Sequence, residues 1–321
     1  MRALQVVEFK SAPVLCDVPL PVPAAGEIRV FVEACGLNFA DLLMIRGEYQ
    51  ETPKPPFTLG LEMAGRIDAL GAGVDGFAVG QRVAVFGGKG GLAEYTCARV
   101  ELCVPLPDQM PAADAAAFQI AYGTSHLALT ERGGLTSGAK LLVLGAAGGV
   151  GLTAVEVGAV LDAEVIAVAR GTDKLKIAKN AGATHLLDAD DPELAEKLRA
   201  FRGIDVVYDP VGGDLAQAAL RATARGGRYL VIGFASGDVP NFKLNHVLVK
   251  NIAVHGFYWG GYLAFDPGVL QKSMSELFAL YAEGKLKPHI GLQAPLSEAA
   301  NALEKLRRRE TTGKVVITMD S

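Results

Sequence analysis

The sequence predicts an α/β protein of about two domains: a small β-barrel or sandwich, then a parallel sheet covered by helices on both faces. Three observations carry that expectation. The residues before Pro111 alternate polar and apolar positions and are rich in proline. From Lys140 onward, short apolar runs alternate with helical stretches, the pattern of a parallel sheet buried on both sides. Between the first such run and its helix lies the glycine-rich turn Gly145-Ala146-Ala147-Gly148-Gly149-Val150-Gly151.

The elements follow in order. Residues 27–34 show the period-two alternation of a half-buried strand, and residues 82–86 and 91–97 repeat it. Prolines at 13, 19, 21, 23, 53, 55, 56, 105, 107 and 111 confine this region to short strands and loops. From Ala112 the chain turns alanine-rich and helical. Residues 141–144, 164–169, 205–208, 228–232 and 252–257 read as strands of the parallel sheet, with helices between them. Two amphipathic helices, 271–283 and 297–309, precede a last strand at 314–318, and this tail is expected to rejoin the first domain.

Composition excludes other classes. The chain has 321 residues, half of them hydrophobic, so a large core forms and disorder is excluded. Lys and Arg number 31 against 35 Asp and Glu, a net charge of -4, which argues against a nucleic-acid partner. No apolar run is long enough for a membrane helix, and Glu8 comes too early for a signal peptide, so a cytoplasmic protein is expected. The four cysteines (16, 35, 97 and 103) form no CxxC pair, and the five histidines show no HxxxH spacing. Reduced thiols and no metal site are expected.

The glycine turn carries the chemistry. Gly148 lets the backbone approach a pyrophosphate, and Gly151 lets helix and strand pack closely. The helix that opens at Gly149 and Val150 offers N–H groups and a partial positive charge to phosphates. Ala146 replaces the first glycine of the usual GxGxxG. At the end of the second strand, where an acid would hold the ribose 2′-hydroxyl of NAD, the chain has Ala169 and Arg170. Arg170 and Lys174 suit a 2′-phosphate, so NADPH is the expected cofactor.

Several segments, taken together, resemble one family. They are residues 36–41 through Tyr49, residues 59–65, the turn at 146–151, residues 205–213 and residues 312–316. Over essentially the whole chain they resemble the zinc-independent, ζ-crystallin-like quinone oxidoreductases of the medium-chain dehydrogenases/reductases. The resemblance implies a GroES-like β-barrel domain at 1–116 and a doubly wound Rossmann domain with a parallel sheet at 117–258. A return segment, 259–321, would complete the first domain, with the active site in the cleft between the two. The zinc ligands of the related alcohol dehydrogenases are matched by Asn38, Leu61 and Ala121, and neither leucine nor alanine can ligate zinc. A zinc-free enzyme needs a substrate that accepts hydride readily, such as a quinone or an α,β-unsaturated carbonyl.

Asn38 and Tyr49 are then the expected catalytic residues, as hydrogen-bond donors to the substrate carbonyl or the nicotinamide ribose. Thr124, Gly233, Phe234 and Tyr258 complete the expected cofactor-binding set. Arg309 either joins it or is solvated. Leu43 and Ala189 depart from the family pattern, where a tyrosine and an aromatic or histidine are usual. The aromatic cluster Phe257, Tyr258, Trp259, Tyr262 and Phe265 lines either the cleft or an interface. An acyl-thioester reductase and a non-catalytic NADPH-binding protein are the alternatives. The apolar strand at 252–257, expected at a sheet edge, points to a homodimer.

Overall fold

The computed structural model describes residues 1–319. The chain forms two compact units: Met1–Ile120 with the segment from Pro288 onward, and Ala121–Lys287.

The first unit begins with β1 (Arg2–Val6), β2 (Val14–Asp17), β3 (Glu27–Leu37), α1 (Phe39–Arg46), β4 (Phe57–Thr58) and β5 (Glu62–Leu70). Next come β6 (Arg82–Phe86), β7 (Tyr95–Arg99), β8 (Cys103–Pro105) and α2 (Ala112–Ala116). In β3 the expected alternation is realised: Ile28, Val30 and Val32 are fully buried while Phe31 is exposed. They pack with Met63, Ile67, Val83, Val85 and Leu92 in one apolar core. The strand expected at 91–97 begins only at Tyr95, because Leu92 bonds instead to Leu4 of β1 and to Leu59 just past β4. Helix α1 starts where the Asp41 carboxylate accepts the N–H of Asn38 at 2.8 Å, and it stops at Gly47 in a left-handed conformation, φ 74°.

α3 (Gln119–Leu127) leads to the second unit: β9 (Lys140–Leu144), α4 (Gly149–Val160), β10 (Glu164–Ala169), α5 (Thr172–Asn180), β11 (His185–Asp188) and α6 (Leu194–Ala200). It continues with β12 (Ile204–Asp209), α7 (Gly213–Ala222), β13 (Thr223–Val231), α8 (Leu244–Lys250), β14 (Ala253–Gly256), α9 (Tyr262–Phe265) and α10 (Pro267–Ala282). The six strands are all parallel, in the order β11-β10-β9-β12-β13-β14. Leu142, Leu144, Ile166, Val168 and Val207 meet Leu198, Ala216 and Leu220 of α6 and α7 on one face. On the other face, Gly158 of α4 lies against Leu141 and Val165. Strands buried on both sides need no alternation, which is why their sequence is continuously apolar.

The return to the first unit occurs at Pro288, later than the expected 259. Residues 259–287 stay with the second unit because their apolar side chains are buried there. Trp259, Tyr262, Leu270, Met274 and Leu277 are all less than a tenth exposed. Polar contacts tie the same segment down: His126 Nδ1 bonds Ser273 Oγ at 2.9 Å, and Arg132 Nε donates to the Tyr262 hydroxyl at 2.8 Å. The remainder forms β15 (Ile290–Pro295), α11 (Ala299–Arg307) and β16 (Lys314–Thr318). β16 pairs antiparallel with β3, bringing Val315 opposite Leu37, so the tail completes the larger sheet of the first unit. Among the described residues no helix is long and apolar enough to cross a membrane.

Candidate functional site

In the first unit, the end of β3, the start of β5 and the start of β16 converge on a buried polar cluster. Glu62 is fully buried and Lys314 only 4% exposed. Lys314 Nζ donates to Glu62 Oε1 at 2.7 Å, Asn38 Oδ1 at 2.8 Å and the Leu37 carbonyl at 2.9 Å. Those three bonds use all three ammonium hydrogens. Glu62 Oε1 also accepts from Asn38 Nδ2 at 2.9 Å, and Oε2 accepts the Ile120 N–H at 2.8 Å. Charge pairing and full hydrogen bonding are what make two charges tolerable in a dry interior.

This cluster determines what Asn38 offers. Its second amide hydrogen faces the Gly36 carbonyl at 3.2 Å. With both N–H donors directed inward, the unspent capacity is a lone pair on Oδ1. The reverse orientation would set the amide N–H groups against the Lys314 ammonium, so the network fixes the rotamer. Asn38, expected from sequence to donate, therefore presents an acceptor.

Asp41 sits beneath the same cluster, fully buried. Its Oδ1 accepts the Gly60 N–H at 3.1 Å. Burial, above all, pushes its carboxyl up to about 7, with the Glu62 charge adding and the two N–H donors and Lys314 opposing. Tyr49 lies half-buried beyond the end of α1, packed on the core, and its carbonyl accepts the Thr52 hydroxyl at 2.7 Å. Arg309 is exposed in a left-handed conformation just past α11.

Glu62 and Lys314 are site residues that sequence reasoning did not single out. A lysine opening an apolar strand reads as a solvated end, and its partner is far away in the chain. The one available signal was that both lie inside the family-like segments 59–65 and 312–316.

In the second unit the glycine turn joins β9 to α4 where the strand order reverses, between β9 and β12. Open α/β sheets bind ligands at this point, beyond the carboxyl ends of the strands. A Cβ on Gly151 would lie 2.2 Å from the Gly145 carbonyl oxygen, so helix and turn require glycine there. A Cβ on Gly148 would meet only that oxygen, at 3.4 Å, so the space in front of Gly148 is open. Ala146 takes the place of the motif's first glycine because its methyl is buried and its N–H bonds the Val168 carbonyl at 2.9 Å. The first turn of α4, through Gly149, Val150 and Gly151, has N–H groups with no intrahelical acceptor.

Most of the other expected cofactor residues belong to the same unit as this turn. Ser125 Oγ, next to Thr124 on α3, donates to the Val150 carbonyl at 3.0 Å and holds α3 against α4. Arg170 follows β10, Gly233 and Phe234 follow β13, and Tyr258 follows β14, all at the carboxyl end of the sheet. Lys174 is half-buried on α5. Arg170 Nε donates to Asp190 at 3.0 Å, an exposed pair.

Residues 149–280 match the family described as zinc-binding dehydrogenase, and residues 24–108 match the alcohol dehydrogenase GroES-like domain. A zinc ion does not fit the residues present. Leu61 and Ala121 carry no donor atom, and burial holds the Cys35 thiol well above the usual thiol range. Among the described residues no group of three His, Cys, Asp or Glu side chains is placed to hold a metal.

The chain is 36% identical to quinone oxidoreductase-like protein 2 of Bos taurus, over 99% of this chain and 92% of the relative. It is 32% identical to prostaglandin reductase-3 of the same species, over 94% and 84%. The structure matches that of Escherichia coli quinone oxidoreductase complexed with NADPH, with a TM-score of 0.93, 27% identity, and coverage of 99% and 100%. Two family matches in order and near-complete coverage at this identity establish kinship: the chain belongs to the zinc-independent quinone oxidoreductase family of the medium-chain dehydrogenases/reductases.

Proposed function

We propose that the protein is an NADPH-dependent, metal-free reductase of quinones or α,β-unsaturated carbonyls, working as a homodimer. The observation that carries this is the open space before Gly148 at the sheet's reversal point, with Ala169 and Arg170 ending the neighbouring strand. The E. coli relative bound to NADPH and the prostaglandin reductase support the cofactor and the substrate class.

Bound NADPH supplies a hydride to the substrate carbon. The chain's residues do the rest. The N–H groups of Gly149, Val150 and Gly151 hold the pyrophosphate with the field of α4 behind them. Arg170 and Lys174 take the 2′-phosphate. The Arg170–Asp190 pair does not prevent this, because an exposed ion pair contributes about 0–1 kcal/mol and exchanges readily. Thr124, Gly233, Phe234 and Tyr258 border the cofactor. Asn38 Oδ1 accepts a hydrogen bond from a ribose hydroxyl, and the Tyr49 hydroxyl donates to the substrate oxygen. Arg309, just past α11, is a further cofactor contact by the family resemblance.

The test is a kinetic panel of 1,2-quinones, 1,4-quinones, alkenals and acyl thioesters with NADPH and with NADH. NADPH-dependent turnover of a quinone or an enone is expected. Turnover confined to acyl thioesters, or none with any acceptor, would overturn the proposal.

A further inference from the structure

The amino ends of β12, β13 and β14 lie at the opposite end of the sheet from the glycine turn. Here Arg199, Arg202, Arg221, Arg225 and Lys250 line a cavity of about 440 Å³, together with residues 203 and 222–224. No carboxylate is among the lining residues. The chain as a whole is net acidic, so five cations around one hollow is a local segregation of charge.

Helix dipoles explain part of it. α6, α7 and α8 all end here, and their carboxyl ends favour Arg199, Arg221 and Lys250 in the last turn. They do not explain Arg202, in the loop before β12, or Arg225, within β13. Among the described residues Arg202, Arg221 and Arg225 make no ion pair; Arg199 reaches Glu196 only at 3.7 Å. Lys250 Nζ is anchored by the carbonyls of Arg221 at 2.6 Å and Thr223 at 2.9 Å, which leaves one hydrogen unspent. Burial, and then the charge of Arg225, push the Lys250 ammonium down, which is the response of a cation lacking a counter-ion.

We propose that this pocket binds a small polyanion carrying two or more phosphate groups, at a site separate from the cofactor turn. Guanidinium forks match phosphate oxygens two at a time, and several around one hollow favour a ligand that spans them. The cavity has the size of a small-molecule site, and the four arginines and one lysine around it favour an anionic ligand over the usual hydrophobic one.

The test titrates inorganic tripolyphosphate into the NADPH-saturated protein by calorimetry at low salt, so that the cofactor site is filled. One saturable site per chain is expected, weakened about tenfold when salt is raised to about 0.2 M. The variant Arg202→Ala/Arg221→Ala removes two side chains that bond nothing else among the described residues. It should lose about tenfold or more in tripolyphosphate affinity while keeping its NADPH affinity and Tm. Sulfate, too small to span the cations, should bind at least as much more weakly. The proposal fails if no saturable binding occurs, if sulfate matches tripolyphosphate, or if the double variant binds unchanged. It also fails if a single-stranded oligonucleotide binds more tightly than tripolyphosphate and loses that affinity in the same variant, which would reassign the pocket to a nucleic-acid backbone.

Discussion

The Lys314 ammonium lies 2.7 Å from the Glu62 carboxylate, 252 positions earlier in the chain, and neither is open to solvent. The pairing of β16 with β3 makes this contact, and Asn38 is oriented by it. Taking both charges out of water costs several kcal/mol each, which attraction and complete hydrogen bonding offset. The pair therefore serves geometry more than stability.

Removing one partner tests that balance. Lys314→Met leaves the Glu62 charge buried and unpaired, and should destabilise the fold by about 3–5 kcal/mol in urea unfolding. The double variant Glu62→Gln/Lys314→Met should recover most of the loss, since neither partner of the pair is then charged. A double variant as unstable as the single one would refute the account.

Asp41 predicts a specific pH response. Its carboxyl sits at about 7 in the folded chain and near 4 when unfolded. Between those values the folded state holds a proton that the unfolded state has released. Stability from this group is therefore full below pH 4, falls by about 1.4 kcal/mol per pH unit as pH rises to about 7, and then levels off. Asp41→Asn should flatten the Tm profile over that window. Parallel profiles for the two proteins would remove Asp41 from the explanation.

The two glycines of the turn should separate folding from binding. Gly151→Ala forces a methyl to 2.2 Å from the Gly145 oxygen and should cost about 1–3 kcal/mol of stability. Gly148→Ala meets nothing closer than 3.4 Å and has an ordinary φ of -83°. It should fold normally yet bind NADPH at least about tenfold more weakly, because the methyl fills the phosphate's space. Wild-type affinity in Gly148→Ala would place the pyrophosphate elsewhere.

Cofactor choice is tested at Arg170. NADPH should bind at least about tenfold more tightly than NADH, and Arg170→Asp should abolish or reverse the preference. Fluorescence titration of both nucleotides measures it, and equal wild-type affinities count against the 2′-phosphate assignment.

β14 predicts the oligomeric state. It closes the sheet, and Val254 is 39% exposed. The Phe257 N–H donates inward to Val231, so strand alternation turns the Val254 N–H outward, free to pair with a second copy. Light scattering should give twice 33.6 kDa, and Val254→Pro should give the monomer mass. A wild-type mass of 33.6 kDa would end the dimer proposal.

Much of the fold is legible in local pattern. The alternation in residues 27–34, the continuous apolar runs at 141–144 and 164–169, and the glycine turn each reflect forces acting within a few residues. The late return at Pro288 is hidden, because the segment containing Trp259 and Tyr262 is as apolar as a barrel segment would be. Which core buries it depends on partners such as His126 and Arg132.

The sequence by itself determined the two-part α/β plan, the turn that needs glycine at 151 and the basic strand end at Arg170. Backbone sterics, side-chain periodicity and short-range charge are properties of neighbouring residues. Only the tertiary structure decided that Lys314 is buried against Glu62, that Asn38 therefore spends both N–H donors inward, and that burial raises the Asp41 carboxyl to about 7. Those outcomes depend on desolvation and on hydrogen-bond partners supplied by strands far apart in the chain, and no local spacing encodes either.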